Sequence, residues 1–254
     1  MRSTACTRME ASTSRTWRGD FRTLRALARR VPGSLDAPAR LRAFYEPQAR
    51  DYDGFRERLL HGRRRLIEAL PFPAGGVWID LGGGTGRNLE FAGERLDTLS
   101  QVYVVDLASP LLAQARARAA ARGWRNVTLL EADVSALQLP EGCADVVTLS
   151  YSLTMMTDWL SAVEVAARLL KPGGLIGVVD FYVSRPGAAP LRQHRMFSRH
   201  FWPAWFRRSH VWLNPEHLPY LTHRFTGVMI EERLGSVPYM AGLRVPHYIF
   251  IGRR

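Results

Sequence analysis

Three things are scarce in this 254-residue sequence: cysteine, lysine and long uncharged stretches. The two cysteines, Cys6 and Cys143, are too few for a disulfide framework or a zinc knuckle, so the sequence predicts a reducing compartment. The longest uncharged stretch, 146–157, is far shorter than the roughly 20 apolar residues that cross a bilayer. The first thirty residues hold no continuous apolar segment. We therefore expect no disulfide, no membrane span and no secretory leader.

Acidic residues are outnumbered: 35 lysines and arginines stand against 23 aspartates and glutamates, which gives a net charge of +12. Such a balance favours a polyanionic partner, either an anionic membrane or a nucleic acid. Lys171 is the only lysine, so part of this arginine reflects a general bias of the sequence. With 46% hydrophobic and 23% charged residues, the composition is that of a globular protein.

The N-terminal segment 1–34 combines a polar tail with one helical pattern. Apolar residues recur at helical spacing from Trp17 to Val31, and arginines fall between them. The pattern predicts a basic amphipathic helix, which either anchors on an anionic membrane or packs on protein. Pro32 and Gly33 then break the chain, and we expect a single domain over 35–254.

Short apolar strands alternate with helices in the central part of the chain. We predict strands at 77–81, 101–106, 126–130, 144–150 and 174–183. The helices between them are predicted near 86–95, 109–122 and 157–170, the second with Ser109 as its N-cap. This alternation indicates a parallel sheet with helices on both faces. Two more strands, 227–233 and 245–252, follow without a helix of convincing length between them, which predicts a closing antiparallel pair.

The domain divides into four predicted parts. These are a helical lid at 35–70, a cofactor-binding core at 71–183, an insertion at 184–226 and closing strands at 227–254. The insertion holds seven arginines, five histidines and eight aromatic residues against one acid, Glu216. This composition suits contact with a lipid substrate and a membrane, or a small core of the insertion's own. Its histidines lack metal-ligand spacing and no H-E-x-x-H motif occurs, so we expect no metal site.

The first predicted strand runs into a glycine loop, Asp80-Leu-Gly82-Gly-Gly84-Thr-Gly86. Ligands of open α/β sheets bind at the carboxyl ends of the strands, and glycines let the backbone approach a ligand closely. The dinucleotide fingerprint and the Walker A lysine are both missing here. An acid-x-G-x-G-x-G loop, with further acids at the next two strand ends, resembles the cofactor site of class I S-adenosylmethionine-dependent methyltransferases. The resemblance implies an α/β fold, a doubly wound, seven-stranded Rossmann-like sheet.

The resemblance also implies S-adenosylmethionine as the cofactor and a role for each acid. Asp80 pairs with the cofactor's amino group, directly or through water, and Asp106 accepts both ribose hydroxyls. Asp133 receives the adenine amino group, with Leu107 and Val134 as apolar walls. The remaining cofactor-binding candidates are Tyr45, Tyr52, Arg63 and Ser150. The tyrosines belong to the helical lid, although a solvated helical face is the open alternative.

The outer motifs resemble a narrower group, the diacylglycerylhomoserine N-methyltransferases that make betaine lipids, also found as one half of fused synthases. These motifs are FYEPQARDYDGFRERLLHGR, DLGGGTGRN, SYSLTMMTDW, VVDFYVSRP, FWPAWF, NPEHLPYL and VPYMAGLRVPHYIFIG, which together span roughly residues 43–252. The resemblance implies three successive methyl transfers to the amino group of a lipid head group, giving diacylglyceryl-N,N,N-trimethylhomoserine. It implies a peripheral enzyme at the cytoplasmic, inner face of an anionic membrane, with no nucleic acid partner. Whether the protein forms a homo-oligomer is left open by the sequence.

Methyl transfer to nitrogen needs a neutral amine, so a nearby group must take the proton of the acceptor. The catalytic candidates for this role are Tyr151, Asp180, Tyr182 and His194. A substrate carboxylate would pair with His194, Arg195 or Arg199.

Three alternative functions are compatible with the same cofactor-binding domain. The first is a soluble methyltransferase for quinones or other small molecules. The second is a nucleic-acid methyltransferase, against which the missing Asn/Asp-Pro-Pro-Tyr motif argues. The third is a regulator that binds the cofactor and transfers nothing.

Overall fold

The computed structural model describes residues 52–187, 193–207, 210–238, 240 and 242–254. The segment 1–34, with its predicted amphipathic helix, lies outside these residues. So do the lid residue Tyr45 and the side chain of Tyr52. The predictions for these parts of the chain stay predictions.

Seven strands form one sheet. They are β1 (Val77–Leu81), β2 (Gln101–Asp106), β3 (Val127–Glu131), β4 (Ala144–Ser150), β5 (Leu170–Phe181), β6 (Thr226–Ser236) and β7 (Arg244–Arg253). Their order is β3-β2-β1-β4-β5-β7-β6. The first five strands are parallel, and β7 runs antiparallel to both of its neighbours, β5 and β6. The predicted doubly wound α/β sheet, with its closing antiparallel pair, is confirmed.

Eight α-helices occur in the described part of the chain. They are α1 (Tyr52–Leu59), α2 (Arg63–Ala69), α3 (Arg87–Ala92), α4 (Arg95–Thr98), α5 (Ser109–Arg122), α6 (Trp159–Leu169), α7 (Met196–Phe206) and α8 (His217–Arg224). Helices α7 and α8 belong to the predicted insertion. None of the helices described is both long and apolar enough to cross a membrane.

Three predicted boundaries differ from the observed ones for local reasons. The helix predicted at 86–95 is split, because Gly93 takes a φ of +59° and ends α3. Ser109 is the first helical residue of α5, and Ala108 precedes it in extended conformation as the N-cap. Strand β5 begins at Leu170, since that residue already pairs with Ala144 before a shift of register.

Apolar clusters cover both faces of the sheet, as parallel strands require. On one face, α2 and α7 contribute Ile67 and Trp202; on the other, α6 and α8 contribute Ala166 and Leu218. Strand β1 lies between β2 and β4, so the strand order reverses beside it. Ligand sites of such sheets lie at this reversal, outside the carboxyl ends of the strands.

Candidate cofactor and acceptor site

A cavity of about 740 Å³ lies at this reversal. Its volume is within the range of sites for small molecules. Eight of the predicted cofactor-binding residues line it: Arg63, Gly82, Gly84, Asp106, Leu107, Asp133, Val134 and Ser150. We call this part of the wall the cofactor end of the cavity. The predicted cofactor-binding residues that line the cavity thus come from four different strand ends and one helix.

The glycine loop forms the floor of the cofactor end. Gly82 and Gly84 have φ angles of +69° and +57°, in the region that favours glycine. A Cβ on Gly82 would lie 2.4 Å from the Cβ of Ser152, so no larger residue fits there. Gly86 also has a positive φ but does not line the cavity; it lets the loop pack on Ala115 of α5. Its role is therefore in shaping the loop.

Asp106 at the end of β2 is half-buried and held by the backbone. Its Oδ2 accepts a hydrogen bond of 2.8 Å from Gly84 N–H, and its Oδ1 accepts one of 2.8 Å from Ala108 N–H. Burial raises the pKa of this carboxyl, and the backbone hydrogen bonds oppose that rise. The carboxylate is thus fixed at the cavity wall before any ligand arrives, as a group that accepts two ribose hydroxyls needs to be.

Asp80 lies behind the loop and does not line the cavity. Its carboxylate is fully buried and accepts hydrogen bonds from Thr148 Oγ1 at 2.6 Å and Asn88 Nδ2 at 3.0 Å. Desolvation raises its pKa to about 6. Asn88 in turn accepts a hydrogen bond of 3.1 Å from Nε of Arg63, which does line the cavity. The pairing of Asp80 with the cofactor's amino group, directly or through water, stays a prediction. In the structure Asp80 positions Asn88 and, through it, Arg63.

The tips of β3 and β4 complete the cofactor end. Asp133 is exposed and accepts hydrogen bonds from the backbone and the hydroxyl of Ser135, which fixes its carboxylate. Val134 is buried beside it. At the tip of β4, the Ser150 hydroxyl is buried and has no hydrogen-bond partner. An unpartnered buried hydroxyl in a cavity wall indicates that a ligand supplies the missing partner.

All four predicted catalytic residues have hydrogen-bond partners within the protein. Tyr151 lines the cavity, but its hydroxyl donates a hydrogen bond of 2.6 Å to the carbonyl of His61. Burial and the nearby charge of Asp180 raise the pKa of Tyr151 well above 10. Its hydroxyl therefore keeps its proton, and Tyr151 holds the loop before α2 in place.

Asp180, Tyr182 and His194 do not line the cavity. Asp180 is fully buried and accepts hydrogen bonds from the hydroxyl and the backbone N–H of Thr154, at 2.7 and 3.1 Å. The Tyr182 hydroxyl donates to a carboxylate of β6, and His194 Nδ1 accepts from the backbone N–H of Ser184. These contacts join β5 to the segments around it. The placement of all three residues therefore does not support their predicted role as proton acceptors.

Arg195 and Arg199, predicted for a substrate carboxylate, also lie away from the cavity wall. A further part of the wall, which we call the acceptor end, consists of residues to which the sequence reasoning gave no individual role. They are Met155, Met156, Asp158, Trp159, His210, Trp212, Asn214 and His217. Their signal was present in the motifs SYSLTMMTDW and NPEHLPYL. What brings these motifs together is a contact between distant segments, the 2.7 Å hydrogen bond from Trp212 N–H to the carbonyl of Thr154.

No metal centre is evident among the residues that the structure describes: no group of three or more histidine, cysteine, aspartate or glutamate side chains there is placed to hold an ion.

A sequence model described as a methyltransferase domain matches residues 79–174, which contain the glycine loop, Asp106 and Asp133. Two curated relatives are similar over a longer stretch. The demethylmenaquinone methyltransferase of Thermus thermophilus is 36% identical over 140 residues, 55% of this chain and 63% of the relative. The ubiquinone/menaquinone biosynthesis C-methyltransferase UbiE of Serratia proteamaculans is 30% identical over 162 residues, 61% of this chain and 64% of the relative. The match thus spans just under two thirds of each relative.

Solved structures show the same fold at lower identity. A phosphoethanolamine N-methyltransferase from Haemonchus contortus, solved with S-adenosyl-L-methionine, has a TM-score of 0.64 at 15% identity and covers 88% of this chain and 61% of its own. An S-adenosylmethionine-dependent methyltransferase from Mesorhizobium loti has a TM-score of 0.57 at 23% identity, covering 75% of this chain and 96% of its own.

The geometry of the cofactor end fits the cofactor that the sequence predicted. The glycine loop has no room for a larger residue at Gly82, and Asp106 and Asp133 line the cavity at the ends of β2 and β3. The Ser150 hydroxyl at the end of β4 has no hydrogen-bond partner. The predicted cofactor agrees with the match to a methyltransferase domain, and a solved structure of the same fold holds S-adenosyl-L-methionine. The described chain therefore has the class I methyltransferase fold.

Proposed function

We propose that this chain is a methyltransferase that acts on the polar head group of a membrane lipid, with the amino group of diacylglycerylhomoserine as the acceptor. One observation carries the proposal: the cavity continues from the cofactor end to an aromatic, polar wall supplied by the segment after β4 and by the insertion. The insertion also presents apolar side chains to solvent, among them Met196 and Phe197 of α7. The alternative acceptor is the ring of a lipid quinone, because both curated relatives are named as methyltransferases of quinone biosynthesis.

The residues of the cofactor end bind and orient. When bound, S-adenosylmethionine supplies a methyl group on a positively charged sulfur. Asp106 accepts hydrogen bonds from the ribose, and Arg63 offers its guanidinium to the carboxylate of the methionine part. Asp80 acts one step away, through its hydrogen bonds with Asn88. Holding the two reactants in line supplies much of the acceleration in a transfer of this kind.

The acceptor end suits an amine better than a neutral ring. Trp159 and Trp212 line it, and aromatic faces stabilise ammonium groups. The Asp158 carboxylate lines it as well and accepts a hydrogen bond of 3.1 Å from Ser161 N–H. Hydrogen bonds with Ser161 lower the pKa of Asp158, so it is negatively charged near neutral pH. A negative charge beside two indole rings favours a cationic head group.

Helix α7 supports a membrane location for the reaction. Its N-terminal residues Met196 and Phe197 are 72% and 60% exposed, while Trp202 and Phe206 on the same helix are buried. The rings of Phe197 and Phe201 stack with their centroids 5.0 Å apart. No acid occurs from 193 to 207, whereas Arg195 and Arg207 are exposed. Exposed apolar side chains among arginines are typical of surfaces that enter an anionic bilayer.

The test is a methyl-transfer assay on the purified full chain with a methyl-labelled cofactor. Liposomes containing diacylglycerylhomoserine and liposomes containing demethylmenaquinone serve as the two acceptors. Label in the homoserine lipid supports the proposal, and label only in the quinone establishes the alternative. If neither lipid is labelled although calorimetry shows that the cofactor binds, the proposal fails. Label in added tRNA or DNA would instead establish a nucleic-acid methyltransferase.

A further inference from the structure

The acceptor end contains one polar side chain whose bonding is incomplete. His217 is 1% exposed, lines the cavity, and its Nδ1 atom is buried without a hydrogen-bond partner. Buried polar atoms in folded proteins nearly always have a partner. A molecule bound in the cavity could therefore form the hydrogen bond that Nδ1 of His217 lacks.

Local structure fixes the position of this ring. Asn214 Oδ1 accepts a hydrogen bond of 2.9 Å from the N–H of Glu216, which forms a turn immediately before α8. His217 is the first residue of that helix. Its ring meets the indole of Trp159 at a centroid distance of 4.6 Å and an angle of 62°. The ring is thus held from the turn on one side and from α6 on the other.

The charge state of His217 suits a cationic ligand. Desolvation lowers its pKa to about 4, so the imidazole is neutral near neutral pH. A neutral imidazole has one nitrogen that accepts a hydrogen bond and one that donates. A neutral ring does not repel an ammonium group, as a protonated histidine would.

We propose that His217, together with Trp159 and Trp212, forms the subsite that holds the amine of the acceptor, and that a nitrogen of its imidazole accepts a hydrogen bond from the amine N–H. The inference rests on the proposed function and adds to it the side chains that hold the amino group of the acceptor. Trp159 and Trp212 provide aromatic faces for the same group. Asp158, at the N-cap of α6, provides the opposite charge in the same wall.

Kinetics on three variants test the subsite. His217→Phe keeps a ring beside Trp159 but loses both nitrogens, and His217→Asn restores one polar group. His223→Phe changes an exposed histidine on the same helix and is the control. We expect His217→Phe to lower kcat/KM for diacylglycerylhomoserine by roughly tenfold to a hundredfold, the loss of one buried hydrogen bond. His217→Asn should recover part of that loss, and His223→Phe should match the wild type.

Binding of the demethylated cofactor, measured by calorimetry, should be the same in all of these variants. Two kinetic results would overturn the subsite. One is an unchanged kcat/KM for His217→Phe. The other is an equal loss in His217→Phe and His217→Asn together with weaker cofactor binding, which would show that His217 only supports the fold.

A second measurement keeps the subsite testable if the wild type methylates neither lipid, in which case the proposed function itself fails. Nitrogen-15 NMR of the histidine rings, with the demethylated cofactor bound, is recorded during titration with homoserine or with 4-hydroxybutyrate. The two probes differ only in the amino group. A shift of the His217 signal with homoserine alone supports the subsite. Equal shifts with both probes, or no shift, overturn it.

Discussion

The two ends of the cavity are built in different ways. The cofactor end is made of strand tips and a glycine loop that follow one another between Asp80 and Ser150, and backbone N–H groups fix its central acid, Asp106. The acceptor end joins two segments about fifty residues apart, one around Trp159 and one around Trp212. Its polar groups are side chains, and the Nδ1 atom of one of them, His217, has no hydrogen-bond partner.

The two ends differ in what sets their geometry: the sheet at the cofactor end, and the packing of the insertion at the acceptor end. At the cofactor end the sheet register sets the distances, because Gly82 N–H and Asp106 are both fixed to β2. At the acceptor end the geometry depends on how the insertion packs against the tip of β4, through the contact of Trp212 with Thr154. Substitutions at the first end should therefore act on cofactor binding, and those at the second on the acceptor.

The largest effect is expected from Asp106→Ala. The variant removes a carboxylate that accepts hydrogen bonds from Gly84 and Ala108 and faces the cavity. We expect binding of the demethylated cofactor to weaken by about 100-fold or more, since hydrogen bonds to charged groups contribute roughly 1.5–3 kcal/mol each. Calorimetry measures it, with the exposed Asp97→Ala as the control. An unchanged affinity in a folded Asp106→Ala protein would remove Asp106 from the ribose role.

The next largest effect concerns the loop itself. Gly82→Ala places a methyl group 2.4 Å from the Cβ of Ser152 at a φ of +69°, whereas Gly123 has a similar φ of +66°, a left-handed conformation and open space around it. We expect Gly82→Ala to lower the free energy of unfolding by roughly 2–4 kcal/mol and Gly123→Ala by about 1 kcal/mol. Urea denaturation measures both. Equal losses would show that backbone strain alone, and not crowding in the loop, demands glycine at 82.

Most of the fold and the cofactor end could be predicted from the sequence, because both are encoded locally. Each strand is a short apolar run, and each predicted acid stands directly after one. The position of Asp106 in the cavity wall could be predicted from its place at the end of β2. That Asp80 lies outside this wall could not, since its hydrogen bonds join it to Asn88 of α3 and Thr148 of β4.

The acceptor end could not be predicted, because it depends on contacts between distant residues. Asp180 follows the strand pattern of a site residue, yet Thr154 covers it from a neighbouring segment. His217 is one of five histidines in the insertion, and although it lies in the motif NPEHLPYL, the motif does not show what its side chain contacts. Only the packing of α8 against Trp159 places His217 in the cavity and leaves His223 exposed.

A smaller effect is expected at the exposed N-terminal end of α7. The double variant Met196→Ser/Phe197→Ser removes its two exposed apolar side chains. We expect adsorption to anionic liposomes to fall at least about tenfold, since burying one large apolar side chain contributes roughly 1.5–3 kcal/mol. Ile230→Ser on β6, 44% exposed in the wild type, is the control and should adsorb as the wild type does. Equal adsorption of all three proteins would place the membrane contact elsewhere.

The smallest effect on rate is expected from Asp180→Asn, which tests whether Asp180 belongs to the site. Because Asp180 lies behind Thr154, we expect methyl transfer to stay within about threefold of the wild type, whereas losing a proton acceptor costs about 100-fold or more. Transfer is measured at a pH above 7 with saturating cofactor. A hundredfold loss in a folded Asp180→Asn protein would return Asp180 to the catalytic role that its strand position predicted.

The same variant should change how stability depends on pH. Burial raises the pKa of Asp180 from 3.8 to about 7, so between these values the folded state binds more protons than the unfolded state. The free energy of unfolding must then fall as the pH rises from 3.8 to about 7, by at most on the order of 4 kcal/mol from this group, and level off above about 7. Asp180→Asn does not titrate, so its fall should be shallower. The control is Asp145→Asn, which removes a carboxyl whose pKa is lowered by Lys171 and should leave the fall in place. Equal slopes of stability against pH in the two variants would mean that Asp180 is already ionised in the folded protein.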